Sequence, residues 1–390
     1  MTEKPVVLTF VGSYLPGYKA GGPIRSVANL VANLGDEIDF RILTSDRDLG
    51  DDAPYADVAT GSWLQVGRGQ VQYLGPRLQS LFSLARIVRA TPHDTLYLNS
   101  FFSPGFTITP LVARWLGLIP KRPLVIAPRG EFSAGALGLK ARKKRLYLAC
   151  AKALGLISGA AWKASSLHEA GDIRRALGVP PHRIHIAVDL PQRLADTPPA
   201  HRPRAADAPL RVIFLGRVSP MKNLDYALEA LAHVRSPVAF SIYGPAEDVA
   251  YATECRRIAA HLPAHVTVDW VGPVEPADVP GIMADHDLFF LPTRGENFGH
   301  VIAEALGAGT PVLIADTTPW RGLSDLGVGE DLPLADPVAF AAAIDRQAAL
   351  SHEQAIEKRA QTFAYARQRQ LEGADVEANR RLFAALHESG

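Results

Sequence analysis

The stretch Leu288-Phe-Phe-Leu-Pro292-Thr-Arg294-Gly-Glu296-Asn-Phe298-Gly299-His300-Val-Ile-Ala-Glu304-Ala-Leu-Gly-Ala-Gly309-Thr-Pro311-Val312 carries a strand, a loop, a helix and the start of another strand. The apolar run up to Pro292 reads as a buried strand. Beyond it, Val301, Ala305 and Leu306 fall on one helical stripe, which leaves His300 and Glu304 one turn apart on another face. Gly309 suits the end of that helix, just before the strand Pro311–Ala315. Glu296 and Glu304 have seven residues between them, one in a Gly-flanked loop and one on the helix that the loop opens. A helix start offers unpaired N–H groups and a positive dipole end to an anion. A Glu about two turns further on accepts two hydrogen bonds from a vicinal diol such as a ribose. The pattern describes a phosphate seat beside a diol acceptor; a structural arginine is the competing partner for Glu304.

Working outward, short β-branched and apolar runs alternate with helical patterns, the signature of parallel sheets. Strands are expected near Val6–Gly12, Phe40–Thr44, Val71–Leu74, Thr95–Asn99, Leu124–Ala127 and Ile184–Val188, then Leu210–Leu215, Val238–Tyr243, Val266–Val271, Leu288–Pro292 and Pro311–Ala315. Between them, Thr197–Pro209 is rich in Pro, Ala, Arg and Asp without an apolar period and reads as a linker. After Pro337 the pattern is helical. The expected class is α/β: two doubly wound parallel-sheet domains, residues 1–196 and 210–370, facing across a cleft, with a helix over 371–390 packing back on the first.

Composition narrows the function classes. The 390 residues are 47% apolar, enough for two separate cores. Basic and acidic residues number 41 and 40, so no global charge draws the chain to nucleic acid. Cys150 and Cys255 stand in no metal-like spacing, which fits a reducing compartment. The start of the chain is apolar for too short a run to be a signal segment, and no run reaches the ~18 apolar residues of a membrane span. A cytoplasmic protein is expected.

Two further segments carry chemistry. Strand Leu210–Leu215 leads through Gly216-Arg217 to Lys222-Asn223, and a helix follows with Leu224, Ala227, Leu228 and Leu231 at helical spacing and Asn223 as its N-cap. Arg217 and Lys222 thus flank a turn at the carboxyl edge of a parallel sheet, where two cations hold a diphosphate and stabilise its charge as it leaves. Taken alone, such a pair reads more readily as a structural salt bridge of Arg217 and a solvated Lys222; the Glu296-to-Glu304 segment reverses that preference. In the first half, Gly21-Gly22-Pro23 opens a helix with Ile24, Val27, Ala28, Val31 and Leu34 in phase. The glycines allow close approach to the backbone. They do not form a Gly-x-Gly-x-x-Gly fingerprint, so neither a nicotinamide nor a flavin is supported.

The segments Gly21-Gly22, Gly216-Arg217 with Lys222-Asn223, and Glu296-Asn-Phe-Gly-His300 with Glu304-Ala305 resemble in order and spacing the retaining glycosyltransferases of family 4, which have the GT-B fold. The likeness runs over most of the chain and is strongest from Arg211 to Asp316. It implies that Arg217 and Lys222 clamp the diphosphate of a nucleoside diphosphate sugar, the donor substrate. Glu296 would touch hydroxyls of the transferred sugar and form the catalytic set with those two cations. Glu304 would bind the ribose, and backbone N–H groups around Asn297, Phe298 and Gly299, with Gly21 and Gly22 across the cleft, would approach the phosphates and sugar. No metal and no cofactor is implied, and retention is expected by front-face displacement. Where many members carry a His, this chain has Pro128-Arg129-Gly-Glu131, resembling a subgroup. Arg129 and Glu131 are accordingly placed on the acceptor side. Ile186-Ala-Val-Asp189 replaces the family's usual Asn-Gly turn before the crossover.

From Phe132 to His168 there are seven basic residues and no acidic one, with Lys140, Arg142, Lys143, Lys144 and Arg145 clustered among leucines. A basic, apolar helix suits an anionic membrane surface or a pyrophosphate-bearing lipid; a solvated helix face is the plain alternative. The combined expectation is a sugar transferase of surface or exopolysaccharide assembly at the inner face of the plasma membrane, acting on a glycan or lipid-linked glycan acceptor. A GT-B sugar-nucleotide epimerase and a non-catalytic nucleotide-sugar-binding subunit are the rivals.

Overall fold

Alternation along the first strands explains their burial on both faces. In the computed structural model, which describes residues 4–138, 141–205 and 207–387, β1 (Val6–Phe10) sends Leu8 and Phe10 into one apolar cluster and Val7 into another. Lys140 of the basic cluster and Ala206 of the expected linker lie outside the described residues. A strand covered on both faces reads as a continuous apolar run, as parallel sheets require. The chain then forms α1 (Gly22–Leu34), β2 (Asp39–Ser45), β3 (Trp63–Val66), β4 (Gly69–Leu74), α2 (Leu81–Ala90), β5 (Thr95–Asn99), α3 (Thr109–Trp115), β6 (Leu124–Ala127), α4 (Ala134–Gly138), α5 (Ala141–Ala153), β7 (Ala161–Ala164), α6 (Leu167–Leu177) and β8 (Ile184–Ile186). These strands make one sheet in the order β3-β4-β2-β1-β5-β6-β7-β8, parallel except for the β3–β4 pair. The order reverses between β1 and β5, so the loops after those strands flank the switch point.

A second sheet follows: β9 (Leu210–Leu215), α7 (Leu224–Leu231), β10 (Val238–Tyr243), α8 (Val249–Ala259), β11 (Val266–Gly272), α9 (Val279–Ala284), β12 (Leu288–Leu291), α10 (His300–Gly307), β13 (Val312–Ala315), β14 (Gly329–Leu332), α11 (Pro337–Ala348) and α12 (His352–Glu372). Its order is β11-β10-β9-β12-β13-β14, wholly parallel. Here the reversal lies between β9 and β12. The last helix, α13 (Ala374–His387), returns to the first sheet, where Phe383 packs edge-on against Phe40 and Tyr97 at centroid distances of 6.0 and 5.2 Å.

Two compact units result: Met1–Leu190 with Gly373–Gly390, and Pro191–Glu372. The division falls a few residues ahead of the expected linker. Three strands were not anticipated: β3, β7 and β14. Among the described residues, no helix is long and apolar enough to cross a membrane.

Candidate functional site

The switch point of the second unit gathers the residues picked out in its sequence. Because β9 and β12 are hydrogen-bonded neighbours, the loops that leave their carboxyl ends lie side by side. One loop carries Arg217 and Lys222; the other carries Glu296 and runs into α10. The Lys222 ammonium is ion-paired with the Glu296 carboxylate, the two side chains 17% and 12% exposed. Charged groups this sheltered interact more strongly than in bulk water.

The two loops are stitched together by four further hydrogen bonds. The Arg294 N–H donates to the Met221 carbonyl at 2.9 Å, and the Thr293 hydroxyl to the same oxygen at 3.0 Å. The Asn223 amide donates to the Pro292 carbonyl at 2.9 Å and accepts from the Arg294 guanidinium at 2.9 Å. Asn223 therefore departs from its expected role. It stands at the start of α7 but in a left-handed conformation, φ 60°, and its side chain crosses to the neighbouring loop instead of capping the helix. Asn tolerates this region better than most residues do. Nearby, Gly244 has no alternative: a Cβ there would sit 2.0 Å from the Gly216 carbonyl oxygen.

Arg217 is not joined to the Lys222–Glu296 pair. Its guanidinium is half exposed and meets Glu247, in the loop between β10 and α8, at 3.1 Å. Glu304 lies half-buried on α10, in the turn after His300. Asn297 is half-buried, whereas the Phe298 ring is turned inward against His300 and Trp320, with centroids 4.7 and 5.6 Å away. Gly299 precedes α10 in the left-handed region, φ 82°. A Cβ at Gly299 would approach Ile302 Cδ1 to 2.8 Å, so the position admits only glycine without rearrangement.

In the first unit, Gly21 (φ 64°) stands just before α1 and Gly22 begins it, with Pro23 in its first turn. A Cβ on either glycine would meet nothing within 4 Å, leaving the helix start open to an approaching group. Arg129 and Glu131 turn inward. The Arg129 guanidinium is 7% exposed; it pairs with Asp189 and donates to Tyr97 Oη at 2.9 Å and to Asn99 Oδ1 at 2.7 Å. Asp189 also takes Lys163 Nζ at 2.7 Å and Ser26 Oγ at 2.7 Å. Glu131 accepts from Ser100 Oγ at 2.7 Å and from the N–H groups of Phe101 and Phe102, while burial pushes its carboxyl upward.

The basic segment divides in the same way. On α5, Arg142, Lys143 and Arg145 are exposed beside Leu146. Lys144 instead donates to the Ala136 carbonyl at 2.7 Å and lies 4.8 Å from the Phe102 ring centroid. Lys163 belongs to the buried Asp189 network. Sequence reasoning passed over Glu247, Arg294 and Trp320. Of these only Trp320 left a signal, as a lone aromatic in the Pro319-Trp320 turn after a buried strand.

The comparisons with known proteins follow this division into two units. The model of glycosyl transferases group 1 matches residues 200–369, and that of the glycosyl transferase 4-like domain matches residues 21–187. A D-inositol 3-phosphate glycosyltransferase of Jonesia denitrificans is 31% identical over 173 residues, 40% of this chain and 41% of that protein. A phosphatidyl-myo-inositol mannosyltransferase of Mycobacterium tuberculosis is 36% identical over 139 residues, 34% of this chain and 35% of its own. The matched stretch thus spans well under half the length of these curated relatives. Among solved structures, Anabaena HepE in complex with UDP and glucose shares the fold at a TM-score of 0.66 and 18% identity, over 98% of this chain and 100% of that one. With both units matched and the two parallel sheets in place, the chain belongs to the glycosyltransferases of family 4, of GT-B fold.

Proposed function

We propose that this protein moves a sugar from a nucleoside diphosphate sugar to a hydroxyl acceptor, with retention, in the assembly of an exopolysaccharide, O-antigen or other surface glycan. The observation that carries this reading is the Lys222–Glu296 pair beside the start of α10, at the switch point of a parallel sheet. Lys222 has three donors, so two remain for a diphosphate while one holds Glu296. Arg217 adds a second cation, and Glu304 on α10 takes the ribose hydroxyls. In the transfer, the bond from the sugar C1 to the β-phosphate oxygen breaks. The acceptor oxygen bonds to C1 on the same face, and its proton passes to the departing phosphate. The two side-chain cations meet the charge that develops there, so the proposal requires no metal and predicts that chelation leaves turnover unchanged.

The acceptor is proposed to be membrane-borne. Arg142, Lys143, Arg145 and Lys152 stand exposed on α5 with Leu146, and Leu154 follows, also exposed. Such a face attracts an anionic leaflet while its leucines insert at the interface. The proposed location is accordingly the inner face of the plasma membrane. Sedimentation with phosphatidylglycerol vesicles, lost in a variant with Arg142, Lys143 and Arg145 changed to Glu, is the expected behaviour; equal sedimentation of both proteins would remove the membrane contact.

The donor is tested by thermal shift against UDP-, GDP-, ADP- and TDP-sugars, then by transfer to lipid-linked acceptors with the product anomer read by NMR. Glu304→Ala should weaken the selected donor by about 1–3 kcal/mol in calorimetry, since hydroxyls lose their partner. Stabilisation by no nucleotide sugar would overturn the reading, and an inverted product would overturn retention. Consumption of donor without any acceptor would favour the epimerase alternative.

A further inference from the structure

Trp320 lies in the loop after β13 and is 4% exposed. Its indole N–H donates to the Phe298 carbonyl at 2.6 Å, and the Arg369 guanidinium of α12 stands 4.4 Å from its ring centroid. The Phe298 carbonyl shares a peptide group with the Gly299 N–H. In a planar trans peptide the two point in opposite directions, so a bond that fixes the carbonyl also aims the N–H. A hydrogen bond on the carbonyl further polarises the group and strengthens the N–H as a donor. Among the described residues the Gly299 N–H meets no acceptor, and Gly299 stands immediately before α10, where the helix leaves its first donors open.

We infer that Trp320 is a positioning residue: it holds the Phe298–Gly299 peptide from behind so that the Gly299 N–H faces the diphosphate of the donor. This role rests on the donor-site reading above. The indole is a donor only, so its bond to the carbonyl cannot reverse. Arg369 steadies the ring by a cation–π contact. The helix that carries Arg369 ends next to Gly373, the residue at which the chain leaves the second unit. The loop therefore owes its shape to a residue 22 positions downstream of Phe298 and to a helix still further on.

Trp320→Phe keeps an aromatic ring and deletes the N–H. Calorimetry on wild type and this variant, with UDP, GDP and ADP each paired with its nucleoside, separates phosphate recognition from base and ribose recognition. The expected result is an unchanged nucleoside affinity and roughly tenfold weaker diphosphate binding, the size of one lost hydrogen bond. The amide resonance of Gly299 should shift in the free variant. If Trp320→Phe does not fold, Arg369→Gln should lower the diphosphate-to-nucleoside affinity ratio by roughly threefold, through a looser ring. A ratio unchanged in the folded variant, or a loss shared equally by nucleoside and diphosphate, overturns the positioning role and leaves the donor site intact. A wild-type protein that binds none of these diphosphates sinks the donor site and the role of Trp320 together.

Discussion

Lys222 and Glu296 form a sheltered ion pair between two loops that leave neighbouring parallel strands, β9 and β12. The pair already sets opposite charges at the point where the strand order reverses. A donor diphosphate would share Lys222 with Glu296, and the sugar it carries would lie near that carboxylate.

Lys222→Ala should therefore lower turnover about 10²–10³-fold, the usual cost of removing one preorganised charge stabiliser. Initial rates with a matched donor and acceptor test this. Wild-type turnover would remove Lys222 from the diphosphate clamp.

Asn223 allows backbone conformation to be separated from side-chain stitching. Asn223→Ala loses both hydrogen bonds and must hold φ 60° with a Cβ, so a cost of about 2–4 kcal/mol is expected. Asn223→Gly keeps the left-handed turn and loses only the bonds, so it should be the milder change. Urea denaturation of the two variants gives the order; equal losses would show that the conformation contributes nothing.

How far the sequence disclosed this architecture depended on side-chain chemistry. Val212–Leu215 and Leu288–Leu291 are unbroken apolar runs, and both the strands and the placement of their loops follow from them. The strands β7 and β14 read Ala-Trp-Lys-Ala and Gly-Glu-Asp-Leu, compositions depleted in sheets, so only their neighbours specify them. The placement of Arg217, Lys222 and Glu296 at one sheet edge was legible from the strands that precede them, but the pairing of Arg217 with Glu247 was not. Arg129 and Lys163 look the same on paper as exposed cations. Their burial is dictated by Asp189, distant in sequence, which no local pattern reveals.

Asp189 holds two cations that are both almost fully buried. Asp189→Asn should destabilise the first unit by about 3–5 kcal/mol, because the charges it leaves behind have lost their compensation. Burial already pushes the Lys163 ammonium down, against the pull of Asp189, so loss of the carboxylate should drive Lys163 further toward its neutral form. A denaturation midpoint equal to wild type would contradict this account of the network.

His93 should give the first unit an acid-sensitive stability. Its Nδ1 meets the Thr91 carbonyl at 2.7 Å and must carry the proton, while Nε2 is buried and has no acceptor among the described residues. Burial pushes the imidazole below its ordinary 6.5; the Thr91 carbonyl and Asp94 oppose this, and Arg122 and Arg41 add to it. The unfolded chain thus binds the proton first. Stability is complete above pH 6.5 and falls below it, by no more than about 1.4 kcal/mol per pH unit for this one group. His93→Asn preserves a donor toward Thr91 and should flatten the melting temperature between pH 7.5 and 5.5. A slope identical to wild type would assign the sensitivity elsewhere.

The position of Phe383 bears on how the chain is made. Its ring fills the core of the first unit, against Phe40 and Tyr97, yet α13 follows the whole second unit in sequence. Domains commonly fold as they emerge during synthesis, the earlier ones first. Here the part of the chain translated first must wait, with Phe40 and Tyr97 uncovered, until the second unit has been translated in full. The core of the first unit is thus completed by residues translated after the second unit, whereas the second unit is built from one continuous segment.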